Sequence, residues 1–230
     1  MDDDQLRGSF NPASSQQETE FLVGHFVADA AKDEFKAVLE FLKKYKDHID
    51  DTDSTGWNAL RYAARNGHYR VVDLLLKNGA SVDLDDRDLM TPLLYAARYG
   101  HTPVAELLIE KHANINETDK ALWTPLMWAV RNGHKDMVNL LLEKDALMDV
   151  QNEDGSTALM MAVWNKRMDI AKMLLENGAS LDKVDNAGMT AMTLARANDD
   201  ADMIALLEYH AEKRKPRTAS APRKPILIKG

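Results

Sequence analysis

Apolar positions recur along most of this 230-residue chain at a fixed step of 33 residues. Within one unit, Leu60, Ala63 and Ala64 fall within about 100° of arc on a helical wheel, which predicts the apolar stripe of an amphipathic helix. The first of these positions returns at Leu93, Leu126, Leu159 and Met192. Such a period predicts a solenoid of stacked helical units, each of which buries its apolar face only against its neighbours.

The residues inside one unit show where its helices begin and end. Residues 91–101 read TPLLYAARYGH and residues 124–134 read TPLMWAVRNGH. Thr91 can cap a first helix, Pro92 suits its first turn and Gly100 can end it. These sequences resemble the ankyrin repeat, a finger-like β-turn followed by two antiparallel helices. The resemblance covers roughly residues 21–211 and implies a non-enzymatic module or adaptor for protein–protein interaction.

The fold expected from the period and the resemblance is an all-α solenoid of helix-turn-helix units with β-turn fingers. Residues 1–20 are acidic and polar and show no helical period, so we predict a disordered N-terminal segment. Residues 21–212 form the predicted repeat domain, with about six units of which the first and last act as caps. Residues 213–230 form a predicted disordered tail that is rich in basic residues.

Two positions depart from the ankyrin pattern. The family places a histidine after the first-helix leucine, whereas this chain has Arg61, Leu94, Met127, Met160 and Thr193. We expect apolar stacking between neighbouring units to replace the hydrogen bonds of that histidine. His112 and Asp145 also stand where glycine is expected to end the second helix, which predicts left-handed backbone at residues that disfavour it.

Aromatic and arginine side chains recur on the face opposite the apolar stripe. On the wheel Tyr62 lies about 200° and Arg65 about 140° from Leu60. The resemblance implies that this face and the finger tips line a binding groove. Tyr, Trp and Arg are also the residue types that dominate interface hot spots. The predicted partner-binding residues are Trp57, Tyr62, Arg65, Met90, Tyr95, Arg98, Trp123, Trp128, Arg131 and Trp164.

These side chains predict a partner protein or peptide with apolar anchors and acidic groups, since guanidinium groups bind carboxylates. The alternative is purely structural. In that interpretation the aromatic rings stack on one another and pave the groove, while the arginines pair with finger aspartates such as Asp86 or Asp119.

Charge is distributed unevenly between the body and the tail. Residues 213–230 hold seven basic and no acidic side chains, so the rest of the chain has 22 basic side chains against 37 acidic ones. The tail supports a second hypothesis, in which it binds nucleic acid or anionic lipid and the solenoid is only a scaffold. It also contains a candidate phosphorylation site at Ser220 and a candidate nuclear import signal formed by Lys213, Arg214, Lys215 and Arg217.

No sequence feature predicts catalysis, a cofactor or a metal site. The chain has no cysteine, and His68, His101 and His134 stand a whole repeat apart, too far to share one zinc ion. The same histidines follow the repeat glycine, where we expect them to order the loop. An acidic start and the lack of cysteine predict a cytoplasmic protein, or a nuclear one if the basic cluster is an import signal. We expect a monomer.

Overall fold

The computed structural model describes residues 12–214, and over this range the chain forms twelve α-helices. They are α1 (Pro12–Ala31), α2 (Phe35–Tyr45), α3 (Ala59–Asn66), α4 (Tyr69–Lys77), α5 (Pro92–Tyr99), α6 (Thr102–Glu110), α7 (Pro125–Asn132), α8 (Lys135–Glu143), α9 (Ala158–Trp164), α10 (Met168–Glu176), α11 (Ala191–Ala197) and α12 (Ala201–Arg214). The odd-numbered helices pack side by side as an inner layer, and the even-numbered helices cover them as an outer layer.

Five units of 33 residues follow the first helix pair. We name them repeat 1 to repeat 5, and they comprise residues 50–82, 83–115, 116–148, 149–181 and 182–214. Each repeat starts with a finger-shaped turn, continues through an inner helix and returns through an outer helix. The pair α1–α2 packs against repeat 1. The expected all-α solenoid is therefore confirmed over the described residues.

Each inner helix is delimited by local capping chemistry. Thr91 is the N-cap of α5, and its Oγ1 accepts a hydrogen bond from the backbone N–H of Leu94 at 3.3 Å. Pro92 occupies the first turn, where its missing N–H leaves no bond unmade. Gly100 then ends the helix in the left-handed region, with a φ of 76°. The same arrangement recurs in α7 with Thr124, Pro125 and Gly133, so in these two repeats the sequence sets both helix ends locally.

The outer helices of repeats 2 and 3 end without glycine. His112 and Asp145 take left-handed φ values of 68° and 60°, as predicted. Side chains disfavour this backbone by roughly 1 kcal/mol per residue. Contacts between repeats therefore have to compensate for this cost in the middle of the array.

In the first four repeats the position after the inner-helix leucine is buried, whereas Thr193 in repeat 5 is exposed. Leu94, Met127 and Met160 are at most 2% exposed there, so the expected apolar stacking is confirmed at these three positions. Arg61 takes the same position in repeat 1 and is also buried. Its guanidinium donates to Gly56 O at 2.8 Å and to Asn58 Oδ1 at 3.3 Å. The buried arginine thus joins the first finger to its own helix.

Histidines connect the inner layer across repeats. The Nε2–H groups of His68, His101 and His134 each donate to a backbone carbonyl of the preceding helix pair, at 2.9, 2.8 and 3.1 Å. The ring of His101 lies over Gly67, where a Cβ atom would come within 2.6 Å of Nδ1. The predicted loop-ordering role of these histidines is confirmed, and it extends to holding neighbouring repeats together.

We expect the stability of the fold to fall below about pH 6.5 because of His101. Burial and the neighbouring histidines lower the pKa of His101, although its bond to Arg65 O opposes the shift. The unfolded chain therefore binds this proton more readily, and stability present above the unfolded pKa is lost as pH falls through the folded pKa. Urea unfolding between about pH 7.5 and 5.5 measures the loss, which for one proton stays below about 1.4 kcal/mol per pH unit. An unchanged slope in the His101→Gln variant would contradict this assignment.

The N-terminal boundary of the fold differs from the prediction. Helix α1 begins at Pro12, so the expectation that residues 1–20 lack helical structure is wrong for residues 12–20. Val23, Phe26 and Val27 bury one face of α1. The preceding glutamines and glutamates have high helix propensity, so the helix extends beyond its buried part. Residues 1–11 lie outside the described residues.

The C-terminal boundary also differs. Lys213 and Arg214 belong to helix α12, so they are not part of a disordered tail. Arg214 donates to Leu175 O at 3.1 Å and to Ala179 O at 2.7 Å, and it thereby satisfies carbonyl groups where α10 ends. The remaining residues of the candidate import signal and the candidate phosphorylation site, Lys215, Arg217 and Ser220, lie outside the described residues.

Candidate functional site

Aromatic rings pack at a tilt against one another along the inner layer and the fingers, within repeats and between repeats 1 and 2. The ring centroid of Trp57 lies 4.7 Å from that of Tyr62 and 4.6 Å from that of Tyr95. The centroids of Trp123 and Trp128 lie 4.8 Å apart. We call the continuous set the aromatic ladder, and it consists of Trp57, Tyr62, Met90, Tyr95, Trp123 and Trp128.

A finger aspartate holds one ring of the ladder in each of the first three repeats. In every case the ring donor stands nine residues after the aspartate and donates to its Oδ2, while Oδ1 accepts backbone N–H groups of the finger. The three ring bonds are those of Tyr62 to Asp53 at 3.3 Å, Tyr95 to Asp86 at 2.6 Å and Trp128 to Asp119 at 3.0 Å.

Burial and these hydrogen bonds shift the pKa values of Tyr95 and Asp53. Burial raises the pKa of Tyr95, and the hydrogen bond to Asp86 raises it further. Burial also raises the pKa of Asp53, but hydrogen bonds from Thr55, Trp57 and Tyr62 outweigh it and bring the pKa below its ordinary value. The phenol of Tyr95 therefore remains a donor and Asp53 remains an acceptor near neutral pH.

The three predicted arginines lie over the ladder. The guanidinium carbon of Arg98 lies 4.4 Å from the Trp128 ring, and that of Arg131 lies 4.9 Å from the Trp123 ring. Arg65 lies 5.6 Å from the Trp57 ring. Such geometry is typical of cation–π contacts. Within residues 12–214 none of these arginines forms an ion pair.

The structure corrects both interpretations of this face. Met90 and Tyr95 are 4% and 7% exposed, so the expectation that the whole set is uncovered is wrong for them. A wheel of one helix does not show that rings from adjacent repeats cover each other. The alternative that the arginines pair with Asp86 and Asp119 is also wrong, because these carboxylates accept the ring donors instead. By contrast, Trp164 is 62% exposed.

An open hollow of about 460 Å³ follows where the ladder ends. It lies between the fingers and the inner helices of repeats 3 to 5, and it brings together three of the predicted residues, Trp123, Arg131 and Trp164. Its other lining residues are Asn152, Asp154, Ser156, Met160, Met161, Asn165, Asp185 and Leu194. The volume lies in the range of ligand pockets.

The hollow results from substitutions within the repeat pattern. Met161 and Leu194 occupy the positions that hold Tyr62, Tyr95 and Trp128 in the first three repeats, and Ser156 replaces the fingertip ring of Trp123. Smaller side chains leave the volume of the missing rings empty. Sequence reasoning missed these residues because it searched for aromatic groups. The signal was the loss of a large residue at a fixed step of 33.

Within residues 12–214, the structure contains neither a group of three or more metal-ligating side chains nor a helix long and apolar enough to cross a membrane. The hollow contains a guanidinium, carboxylates and apolar surface. Such groups bind and orient another molecule. The hollow is therefore a candidate recognition surface.

Comparison with known families agrees with this description. A family model described as ankyrin repeats (3 copies) matches residues 27–119, 81–152, 118–185 and 146–217, which together cover most of the chain. The chain belongs to the ankyrin-repeat family. Ankyrin repeats are generic protein–protein interaction modules, and proteins built from them are generally non-enzymatic. A search of curated proteins finds no match to this ankyrin-repeat chain.

Proposed function

We propose that this ankyrin-repeat protein is a non-enzymatic adaptor that binds a peptide or a partner domain in the hollow at repeats 3 to 5. The observation that supports this function is the exposed Trp164 beside Trp123 and Arg131, where the ladder no longer covers its own surface. Exposed apolar surface bordered by charge is typical of interaction sites. A partner covers this surface with an apolar anchor and places an acidic group near Arg131.

The tail-driven alternative, binding to nucleic acid or anionic lipid, has less support. Arg214 is engaged with carbonyl groups of the fold, and Lys213 lies over the ring of Tyr209. Two of the seven basic side chains are thus part of helix α12. Binding through the tail would weaken steeply as the salt concentration rises, whereas binding in the hollow would depend on Trp164 and Arg131.

Selection from a random-peptide display library on the full chain tests the adaptor function. We expect enriched peptides to contain an apolar anchor and an acidic residue. The Trp164→Ala/Arg131→Glu double variant should lower the affinity of a selected peptide by roughly 30-fold or more, because both side chains lie at the proposed centre of the contact. Fluorescence anisotropy measures the dissociation constant.

The matched control is Tyr69→Ala. Tyr69 is an exposed aromatic residue on the outer helix α4, outside the hollow, and its loss should leave the affinity unchanged. Circular dichroism verifies that both variants retain their helices. The proposal is wrong if selection enriches no peptide, or if the selected peptides bind the double variant as tightly as the wild type.

A further inference from the structure

The ladder follows a geometric rule in three consecutive ankyrin repeats. A finger aspartate uses Oδ1 for the backbone N–H groups of its own turn and Oδ2 for a ring N–H or O–H nine residues later. The ring then packs at a tilt against a neighbouring ring, and an arginine lies over one of the rings. Each aspartate therefore has an inner oxygen for the fold and an outer oxygen for an aromatic donor.

Repeat 5, which lines the hollow, does not follow this hydrogen-bonding pattern. Asp185 uses Oδ1 as before, accepting from the N–H groups of Ala187 at 2.9 Å and Met189 at 2.8 Å. The residue nine positions later is Leu194, which has no donor. Within the described part of the chain, Oδ2 of Asp185 receives no hydrogen bond and joins no ion pair. Both residues line the hollow.

Repeat 4 also lacks a ring donor at the corresponding position. Asn152 stands at the aspartate position, and its Oδ1 accepts from the finger N–H groups of Asp154 and Ser156. The ring position holds Met161, which cannot donate. Asn152 is 5% exposed, and its Nδ2 reaches only Asp154 Oδ2, at 3.5 Å. Two adjacent finger sites thus face the hollow without the ring that completes each of the first three.

We propose that the hollow binds a tyrosine or tryptophan side chain of the partner, which takes the place of the missing ring and donates its O–H or N–H to Asp185 Oδ2. This inference rests on the proposed function and specifies the anchor. Trp123 and Trp164 line the same volume. Arg131 already lies over two ladder rings, at 4.9 and 5.6 Å, and its charge favours a neutral ring over a lysine.

Charge and donor chemistry narrow the choice of anchor. A phenylalanine would fill the volume but leave the outer oxygen of Asp185 without a donor, and a buried acceptor without a partner is unfavourable. A leucine would offer neither a donor nor a ring for stacking. Residues 215–230 of this chain contain no tyrosine or tryptophan, so its own basic tail lacks the anchor. The proposed occupant is therefore an aromatic donor side chain on another protein.

Titration with single-residue probes tests the anchor on the wild-type chain. The probes are N-acetyltyrosinamide, N-acetyltryptophanamide and N-acetylphenylalaninamide, observed through the indole N–H signals in NMR spectra. We expect the tyrosine and tryptophan probes to shift the signals of Trp123 and Trp164, with affinities about tenfold above that of the phenylalanine probe. Equal binding of the phenylalanine probe would overturn the proposal, as would shifts confined to Trp57.

Three variants of the hollow provide matched controls. Leu194→Tyr supplies the missing donor from within the chain, so it should abolish binding of N-acetyltyrosinamide and leave the helical signal intact. Leu194→Phe fills the same volume without a donor, and Asp185→Asn removes the charge of the acceptor while its Oδ1 can still accept the finger bonds. With Asp185→Asn, we expect the preference for the tyrosine over the phenylalanine probe to fall several-fold. A preference that stays unchanged in Asp185→Asn contradicts the proposal.

The outcomes separate this inference from the proposed function. If selected peptides lose affinity in the Trp164→Ala/Arg131→Glu variant but tolerate exchange of their tyrosine or tryptophan for phenylalanine, the hollow binds partners and the anchor assignment is wrong. If that variant has no effect on any selected peptide, the proposed function itself fails.

Discussion

Replacing Asp86 by alanine is expected to lower the free energy of unfolding by about 4 kcal/mol. The Asp86 carboxylate accepts hydrogen bonds from Asp88 N at 2.9 Å, Met90 N at 3.0 Å and the Tyr95 hydroxyl at 2.6 Å. Without it, the phenol of Tyr95 stays in a buried site with no acceptor. The substitution also removes a negative charge that favours the charged form of the buried Arg61. Urea denaturation followed by circular dichroism measures the effect.

Asp185→Ala is the matched control for this loss. Asp185 accepts two equivalent finger bonds but no ring donor, so its removal should cost only about 2 kcal/mol. The difference between the two losses in free energy of unfolding measures how much the Tyr95–Asp86 hydrogen bond and the Asp86 charge near Arg61 add to stability. Tyr95→Phe removes the hydroxyl alone and should have an intermediate or smaller effect. Equal losses in Asp86→Ala and Asp185→Ala would show that the ladder bond adds nothing to stability.

The second large effect is expected at Gly100, where alanine should cost about 3 kcal/mol. Gly100 has a φ of 76°, and a Cβ atom there would come within 2.6 Å of Nδ1 of His134. The ring cannot move away without losing its bond to Arg98 O. The cost therefore combines left-handed strain with a broken contact between repeats 2 and 3. Chemical denaturation of the purified variant measures the loss.

Gly79→Ala separates the two contributions. Gly79 also has a left-handed backbone, with a φ of 97°, but an added Cβ would meet no atom within 4 Å. It should therefore cost only the strain, about 1 kcal/mol. In a His134→Ala background, Gly100→Ala should cost about as little as Gly79→Ala, because the obstructing ring is absent. If the full loss persisted in that background, the contact would not be its cause.

The period of the sequence was sufficient to predict the solenoid, its helix caps and its apolar core. Each of these depends on residues close together in one unit or on the same position in the next. The aspartates at the first position of three repeats show what a survey of composition misses. Asp50, Asp83 and Asp149 each accept a hydrogen bond from the backbone N–H of a residue 31 positions later, near the end of the same repeat. Their recurrence at steps of 33 and 66 was the available signal.

The candidate site was harder to predict because its burial depends on several repeats at once. Trp57, Tyr95 and Trp128 each contact a ring or a guanidinium from an adjacent repeat, which one helical wheel cannot represent. The hollow is also defined by residues that are small, such as Ser156, or apolar without a ring, such as Met161. A sequence search for large interface residues therefore identified the border of the site, at Trp123, Arg131 and Trp164, but not its floor.

The hydrogen bonds by which His68, His101 and His134 join neighbouring units have no counterpart at the start of α10 in repeat 4. Arg167 stands one period after His134, and its guanidinium lies within 2.7 Å of the Cβ that Gly133 would carry, yet among the described residues its side chain makes no hydrogen bond to repeat 3. The nearby contact of Lys135 with Asp169 is exposed and correspondingly weak. A hydrogen bond of this kind is therefore absent at the junction of repeats 3 and 4 within the described residues. Because Arg131 and Trp164 line the hollow from opposite sides of that junction, an occupant that touched both would supply a further contact between the two repeats.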